Sequence, residues 1–348
     1  MSNKRIRSAL VGSYAQPEWL IDRHALKTRL PARIISNEMW RVSPALLQEA
    51  QDDAVLSILW DQEDAGIDIV TDGEARRESY SAPLANAPEG VNREKHEILV
   101  GRAGKPNKVP LISAPLKLIK PVHVEDVKFL KAHTKRTVKI TIPGPFTLAQ
   151  LAVSDYYKTS EELAMGYADV VNAEMKALFA AGADIVQLDE PYLQAKQAEA
   201  AQYGVRAVNK ALQGVVGTKA LHVCFGYAAM VSDKSADGYS CLPLVEQINV
   251  EQVSIEAAQP QSLNLKAALE ALATKTIMVG VINLGDETPE TPEIVAERLR
   301  KALKYIPPER LIAAPDCGLK YLPRASARAK LHALAKGTAI VNKELGLL

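Results

Sequence analysis

The sequence predicts an α/β fold: a (β/α)8 TIM barrel with a β-hairpin inserted between its second and third barrel strands. Three observations carry this. Short β-branched runs ending in Gly, Pro, Asp or Ser recur eight times along the 348 residues. Alanine- and leucine-rich segments with helical periodicity separate most of them, an alternation that implies a parallel sheet. The strands are nearly continuously apolar and none is followed by Gly-x-Gly-x-x-Gly, so a closed barrel fits better than an open doubly wound sheet.

Taken in order, the first strand is Ala9–Ser13 (ALVGS). Residues 14–50, punctuated by Pro17, Pro31 and Pro44, read as an irregular loop followed by helix. Asp68–Asp72 (DIVTD) is the second strand, and Glu97–Lys120 reads as two extended segments around a Gly-Lys-Pro-Asn turn, the hairpin insertion on the barrel rim. Val138–Ile142 follows as the third strand. The clearest helix is Glu162–Ala181, with Gly182 as its C-cap before the fourth strand, Asp184–Leu188. Ala220–Cys224, Gln252–Glu256 and Thr276–Ile282 are the next three strands. A helix then starts at Thr291, a good N-cap, with Pro292 in its first position, and Arg310–Ala314 is the eighth strand. No linker and no repeat of solenoid period interrupts the series, so residues 1–348 are expected to form one barrel domain, with the insertion at about 97–120.

Composition bounds the function. Lysine plus arginine total 42 against 41 aspartate plus glutamate, so the basic excess of a nucleic-acid binder is missing. Apolar stretches are broken by charge well before membrane-spanning length, which argues against a membrane role. The basic first ten residues lack a following apolar core and cleavage site, so secretion is not expected. Three cysteines are too few and too odd for a disulfide framework, and a cytoplasmic location with reduced thiols fits them better.

Active sites of such barrels sit at the carboxyl ends of the strands. Here those ends carry Ser13, Asp72, Glu74, Asp189, Glu190, His222, Cys224, Glu256, Asn283, Asp316 and Cys317. His222 and Cys224 are two residues apart, so on a strand they share a face. A His-x-Cys pair alone reads more often as a packed histidine beside a buried cysteine, but imidazole and thiolate are good zinc ligands, and Glu256 and Cys317 at neighbouring strand ends offer a third and fourth. Such a Zn²⁺ site can bind a thiol and present it as a nucleophilic thiolate. Ligands drawn from separate strand ends argue for an open, catalytic position rather than a closed structural one. Asp316 is a candidate for orienting His222 or a loop N–H. Arg76 and Arg77 are candidates for a sulfonate or corrin carboxylate on a substrate, or for a solvated pair with Glu78. Asp189 reads equally as a helix N-cap before Pro191, and Glu74 as a partner for Arg76 or Arg77. Tyr14, Tyr80 and Tyr227 either line the mouth or pack. Cys241 reads as a plain loop thiol, and His24, His96, His123, His133 and His332 lie away from the strand ends.

Seven segments occur in order: Ser-Ala-Leu-Val-Gly-Ser-Tyr (8–14), Thr-Asp-Gly-Glu (71–74), Gly-Pro-Phe-Thr (144–147), Gln-Leu-Asp-Glu-Pro (187–191), His-Val-Cys (222–224), Ser-Ile-Glu (254–256) and Pro-Asp-Cys-Gly-Leu-Lys (315–320). Together they resemble the C-terminal catalytic barrel of cobalamin-independent methionine synthase, over essentially the whole chain. The resemblance implies that His222, Cys224, Glu256 and Cys317 bind Zn²⁺. It also implies that Ser13, Glu74 and Asp189 hold the amino-acid part of homocysteine, with Glu74 and Asp189 as the catalytic carboxylates. The reaction implied is S-methylation of homocysteine to methionine, with a folate or a methyl-corrinoid as donor.

The sequence departs from the family in three respects. The long enzyme has a second, N-terminal barrel that helps bind folate polyglutamate, and this sequence accounts for one barrel. The family's Asp-Ile-His-Ser segment reads Asn283-Leu284-Gly285-Asp286, with Gly285 where a proposed proton-relay histidine stands. Leu148, Ala149 and Gln150 stand where a tryptophan follows the Gly-Pro-x-Thr motif. Folate as donor is what these changes touch. The chain is also similar to epoxyalkane:coenzyme M transferase, which alkylates a different thiol on the same four ligands.

Overall fold

Along each barrel strand, side chains alternate between the barrel lumen and the surrounding helices. In Thr137–Pro143, Val138, Ile140 and Ile142 belong to the large outer core, while Lys139 and Thr141 point the other way. This alternation recurs around a closed ring in the computed structural model, which describes residues 5–28, 31–35, 37–101, 104–226, 238–260 and 263–347.

Eleven strands are described: β1 (Arg7–Ser8), β2 (Ile69–Val70), β3 (Glu89–Val100), β4 (Pro106–Lys117), β5 (Thr137–Pro143), β6 (Val153–Ser154), β7 (Ile185–Asp189), β8 (Thr218–His222), β9 (Gln252–Ile255), β10 (Thr276–Ile282) and β11 (Leu311–Pro315). Eight of them form one parallel sheet in the order β1-β11-β10-β9-β8-β7-β5-β2. A parallel bridge between Ala9 and Ile69 joins its two ends and closes the barrel. The lumen is filled by a small apolar cluster that includes Ala9, Ile69, Ile185, Ala220, Met278 and Ile312. The larger core lies between the strands and the helical shell. The TIM-barrel expectation therefore holds.

Local signals place the helices as expected. The Ser160–Ala180 helix starts on Thr159, whose hydroxyl accepts from Glu162 N at 3.1 Å, and Gly182 turns the chain out of it at φ +102°. Thr291 caps the Pro292–Ala302 helix by accepting from Ile294 N at 3.3 Å. The Arg324–Glu344 helix clasps the start of the barrel: Asn342 Oδ1 accepts from Ile6 N and its Nδ2 donates to Ile6 O, both at 2.8 Å.

Most boundaries move by a residue or more, and three of the shifts matter here. The first strand is Arg7–Ser8 rather than Ala9–Ser13, because beyond Ala9 the chain leaves the ladder to carry Ser13. The strand expected at Ala220–Cys224 ends at His222, so Cys224 stands just past its tip. The hairpin is β3 and β4, beginning at Glu89 rather than Glu97 and ending at Lys117 rather than Lys120. Glu89–His96 is charged and largely exposed, so it lacks the apolar run that signals a strand. Its partner β4 carries the buried face and pairs on its other side with β6.

Candidate metal centre and active site

Adjacent strands β7, β8 and β9 set Asp189 opposite His222 and His222 opposite Ser254. His222, Cys224 and Cys317 each offer a ligand atom, all within 4.8 Å of one another, and all three residues are buried. His222 Nδ1 is engaged by Ser254 Oγ at 3.1 Å, whereas Nε2 is buried with no hydrogen-bond partner. A neutral imidazole fixed through one nitrogen presents the other as a metal ligand. Two buried thiols and one orphaned ring nitrogen are a donor set that fits a zinc-type ion.

Glu256 follows β9 and is fully buried; Phe225 N donates to its Oε1 at 3.1 Å. It is not one of the three residues gathered within that 4.8 Å limit. Its loop is tightly held: Asp316 accepts from the backbone N–H groups of Ala257, Ala258 and Gln259 at 2.7–2.8 Å. Asp316 thus takes the loop N–H alternative and ties the β9 loop to the β11 loop that bears Cys317. Tyr239 adds a second tie, its hydroxyl donating to Val223 O at 3.1 Å and accepting from Glu256 N at 2.8 Å.

The same thiol and imidazole groups border a cavity of about 500 Å³ whose lining also includes Ser13, Glu74 and Asp189. Glu74 reaches it through a strained turn. Gly73 at φ +62° and Glu74 at φ +54° follow each other, and Asp72 Oδ1 accepts from Glu74 N at 3.1 Å. A non-glycine residue in the left-handed region is held there by its surroundings, a feature that clusters at functional sites. Glu74 Oε1 accepts from Thr141 Oγ1 at 3.1 Å, and its Oε2 is buried without a partner. Burial pushes the Asp189 carboxyl up to about 7, with Glu74 adding to the rise and His222 opposing it. Ser13 lies against Gly318, where a Cβ would stand 2.0 Å from Ser13 Oγ, and Leu319 N donates to Ser13 O at 2.8 Å. Only glycine lets the Cys317 loop approach Ser13 so closely.

Other sequence expectations fall outside the cavity. Arg76 is paired with Asp52 and Asp126 at 2.6 and 2.9 Å and lies over the Phe129 ring. Arg77 is buried, donating to Thr141 O at 2.7 Å and Asp72 at 3.1 Å. Neither arginine lines the cavity, because both guanidiniums are used to lock the β2 loop onto its neighbours. Glu190 is not a cavity residue either: it accepts from Phe146 N, Thr147 N and Thr147 Oγ1 at 2.6–2.9 Å, fixing the Gly-Pro-Phe-Thr turn. Tyr80 lines the cavity, Tyr14 does not, and Tyr227 lies outside the described residues. Cys241 is a buried thiol, pushed up to about 12 by that burial. The remaining histidines lie away from the cavity; His123, for one, pairs with Asp126 at 2.9 Å.

Sequence reasoning missed Ser254, although it stands two residues before Glu256 and so on the same face as it. It also missed the hairpin side chains Leu99, Val100 and Val109, which line the cavity and carried no signal beyond being apolar.

Comparison with known proteins gives the family. Residues 11–339 match the family model described as cobalamin-independent synthase, catalytic domain. A methionine synthase of Sulfurisphaera tokodaii is 36% identical over 97% of this chain and 93% of its own length. One from Saccharolobus solfataricus is 33% identical over 97% and 95%. Among solved structures, a B12-independent methionine synthase from Shewanella sp. W3-18-1, in complex with selenomethionine, superposes with a TM-score of 0.88. It is 32% identical and is covered over its full length.

Proposed function

The chain belongs to the cobalamin-independent methionine synthase family, and from that premise we propose that it is a zinc-dependent S-methyltransferase converting homocysteine to methionine. The observation that carries this reading is the meeting of a His-Cys-Cys group with Ser13, Glu74 and Asp189 on one cavity. A thiol-activating centre and an amino-acid-binding set are thus brought within reach of one small substrate.

His222 Nε2, Cys224 and Cys317, with Glu256 as the fourth donor, would hold a zinc ion, whose chemistry there would be to lower the thiol pKa so that sulfur is nucleophilic at neutral pH. The chain's own groups do the rest. Asp189 and Glu74 face the substrate ammonium, and the partnerless Glu74 Oε2 is placed to accept from it. Ser13 and the N–H groups of its loop hold the carboxylate. With both ends of the amino acid fixed, sulfur has one direction of approach to the methyl carbon. The S–C bond forms as the donor–methyl bond breaks, and that electron pair leaves with the donor. The donor is a folate or a methyl-corrinoid. Arg76 and Arg77 were candidates for a sulfonate or a corrin carboxylate, and their pairing elsewhere leaves neither group support from them.

The test is direct. Purified protein should hold stoichiometric zinc and convert homocysteine to methionine with methyltetrahydrofolate or with methylcobalamin, the two arms identifying the donor. Cys224→Ser and Cys317→Ser should lose both metal and turnover. Unchanged zinc content in both variants would overturn the proposal.

A further inference from the structure

The barrel lumen holds an amine that the chemistry above does not use. Lys139, in the middle of β5, has no exposed surface. A buried ammonium normally pairs with a carboxylate. Lys139 does not: its Nζ donates to Gln187 Oε1 at 2.8 Å and lies 3.7 Å from Met278 Sδ, and among the described residues no carboxylate forms an ion pair with it. Gln187 in turn donates from Nε2 to Asp189 Oδ1 at 2.8 Å. Ile185, Gln187 and Asp189 are alternate residues of β7, so all three side chains face the lumen and the last of them reaches the cavity.

The directions of these bonds follow from the inventory of donors. An ammonium can only donate, so Gln187 must turn its carbonyl oxygen toward Lys139. Its amide nitrogen is then fixed toward Asp189, where it can only donate. Asp189 Oδ1 is thereby held as an acceptor and Oδ2 is the oxygen left for the cavity. A neutral residue at 139 would let the amide flip and leave the carboxylate without an enforced orientation. Burial draws Lys139 down to about 7, while the Asp189 charge opposes the loss of its proton.

We propose that Lys139 is a positioning residue for the acceptor substrate: acting through the Gln187 amide, it aims Asp189 at the α-ammonium and so confers selectivity for a thiol that carries an amino group. This inference rests on the reading that Asp189 holds the amino group of homocysteine. It names no new catalytic group, since neither Lys139 nor Gln187 lines the cavity.

The experiment measures KM and kcat of the zinc-loaded enzyme for homocysteine and for its desamino analogue, 4-mercaptobutanoate. Variants are Lys139→Met, Gln187→Leu, the double variant and Asp189→Asn. Lys139→Met should raise KM for homocysteine about tenfold, the scale of one hydrogen bond to a charged group, with kcat and the desamino KM unmoved. Gln187→Leu, which keeps the lysine, should do the same and serves alone if Lys139→Met does not fold. The double variant should be no worse than the poorer single one, because both break one path. Equal losses for the two thiols, or additive losses, would mean a merely structural lysine and would overturn the inference. If Asp189→Asn leaves the homocysteine KM unchanged, the underlying assignment of Asp189 fails instead.

Discussion

At the scale of single residues, Lys139 also makes the pH dependence of folding readable. In the unfolded chain its amine holds a proton up to about the ordinary 10.5, whereas burial in the lumen releases that proton near 7. Between those values the unfolded state binds the extra proton, so this residue makes wild-type stability climb with pH. Below about pH 7 both states are protonated, and burying the ammonium costs its full amount. Lys139→Met has no such dependence. Its stability relative to wild type should therefore be most favourable below about pH 7 and should decline steadily toward pH 10.5, as followed by urea unfolding across that range. A difference that stays flat with pH would show that the folded state keeps the lysine protonated throughout. The same residue explains part of what the sequence conceals. A lysine inside a β-branched run looks like an exposed position on a half-buried strand, and only closure of the ring turns that face into a lumen.

At the scale of elements, the β3–β4 hairpin is what distinguishes this barrel from a bare one. It adds Leu99, Val100 and Val109 to a cavity that is also lined by His222, Cys224, Cys317, Ser13, Glu74 and Asp189. If, as proposed, the acceptor is met by residues at the barrel strand tips, the hairpin is expected to meet the donor. Excising 98–108 and joining Glu97 to Val109, which are cross-strand partners, through Asn-Gly gives a two-residue turn that preserves the register. Loss of the two apolar side chains, each contributing roughly 1.5 kcal/mol when buried, should raise the donor KM about tenfold or more. Metal content and homocysteine KM should stay as they are. A rise in the homocysteine KM instead would place the hairpin over the acceptor. Barrel strands such as Thr276–Ile282 were legible from sequence because both faces are buried and the run is continuously apolar. The first half of the hairpin was not, since a ribbon with charged residues on an exposed face has no such run. In the site, His222, Cys224 and Cys317 were legible because strand tips concentrate there. Ser254, which engages His222 Nδ1, was not, because it depends on which strands become neighbours, and neighbours across the ring are set by closure.

At the scale of the molecule, two devices hold the ring shut from opposite ends. At the amino end, Asn342 satisfies both backbone groups of Ile6, just before β1 enters the sheet beside β11. At the carboxyl end, three of the proposed ligands come from the end of β8 and from the loop after β11, which lie three places apart in the sheet order. A metal bound there would cross-link the mouth and, binding the folded chain more tightly than the unfolded one, would add stability by mass action. Asn342→Ala strands two buried backbone groups and should lower unfolding free energy by about 1–3 kcal/mol. Chelation should lower it separately, and Cys317→Ser should abolish the difference between chelated and zinc-loaded samples. Because the two devices share no side chain and sit at opposite ends, their costs should add. Urea unfolding of wild type and Asn342→Ala, each with zinc and with chelator, measures this directly. If the zinc contribution shrinks in Asn342→Ala, the ends are coupled. The route is then the β1–β11 seam, whose continuations carry Ser13 and Cys317 and meet where Leu319 N donates to Ser13 O. In that case loosening the barrel at its base would also loosen the substrate site at its mouth, and homocysteine KM would rise in Asn342→Ala along with the loss of stability.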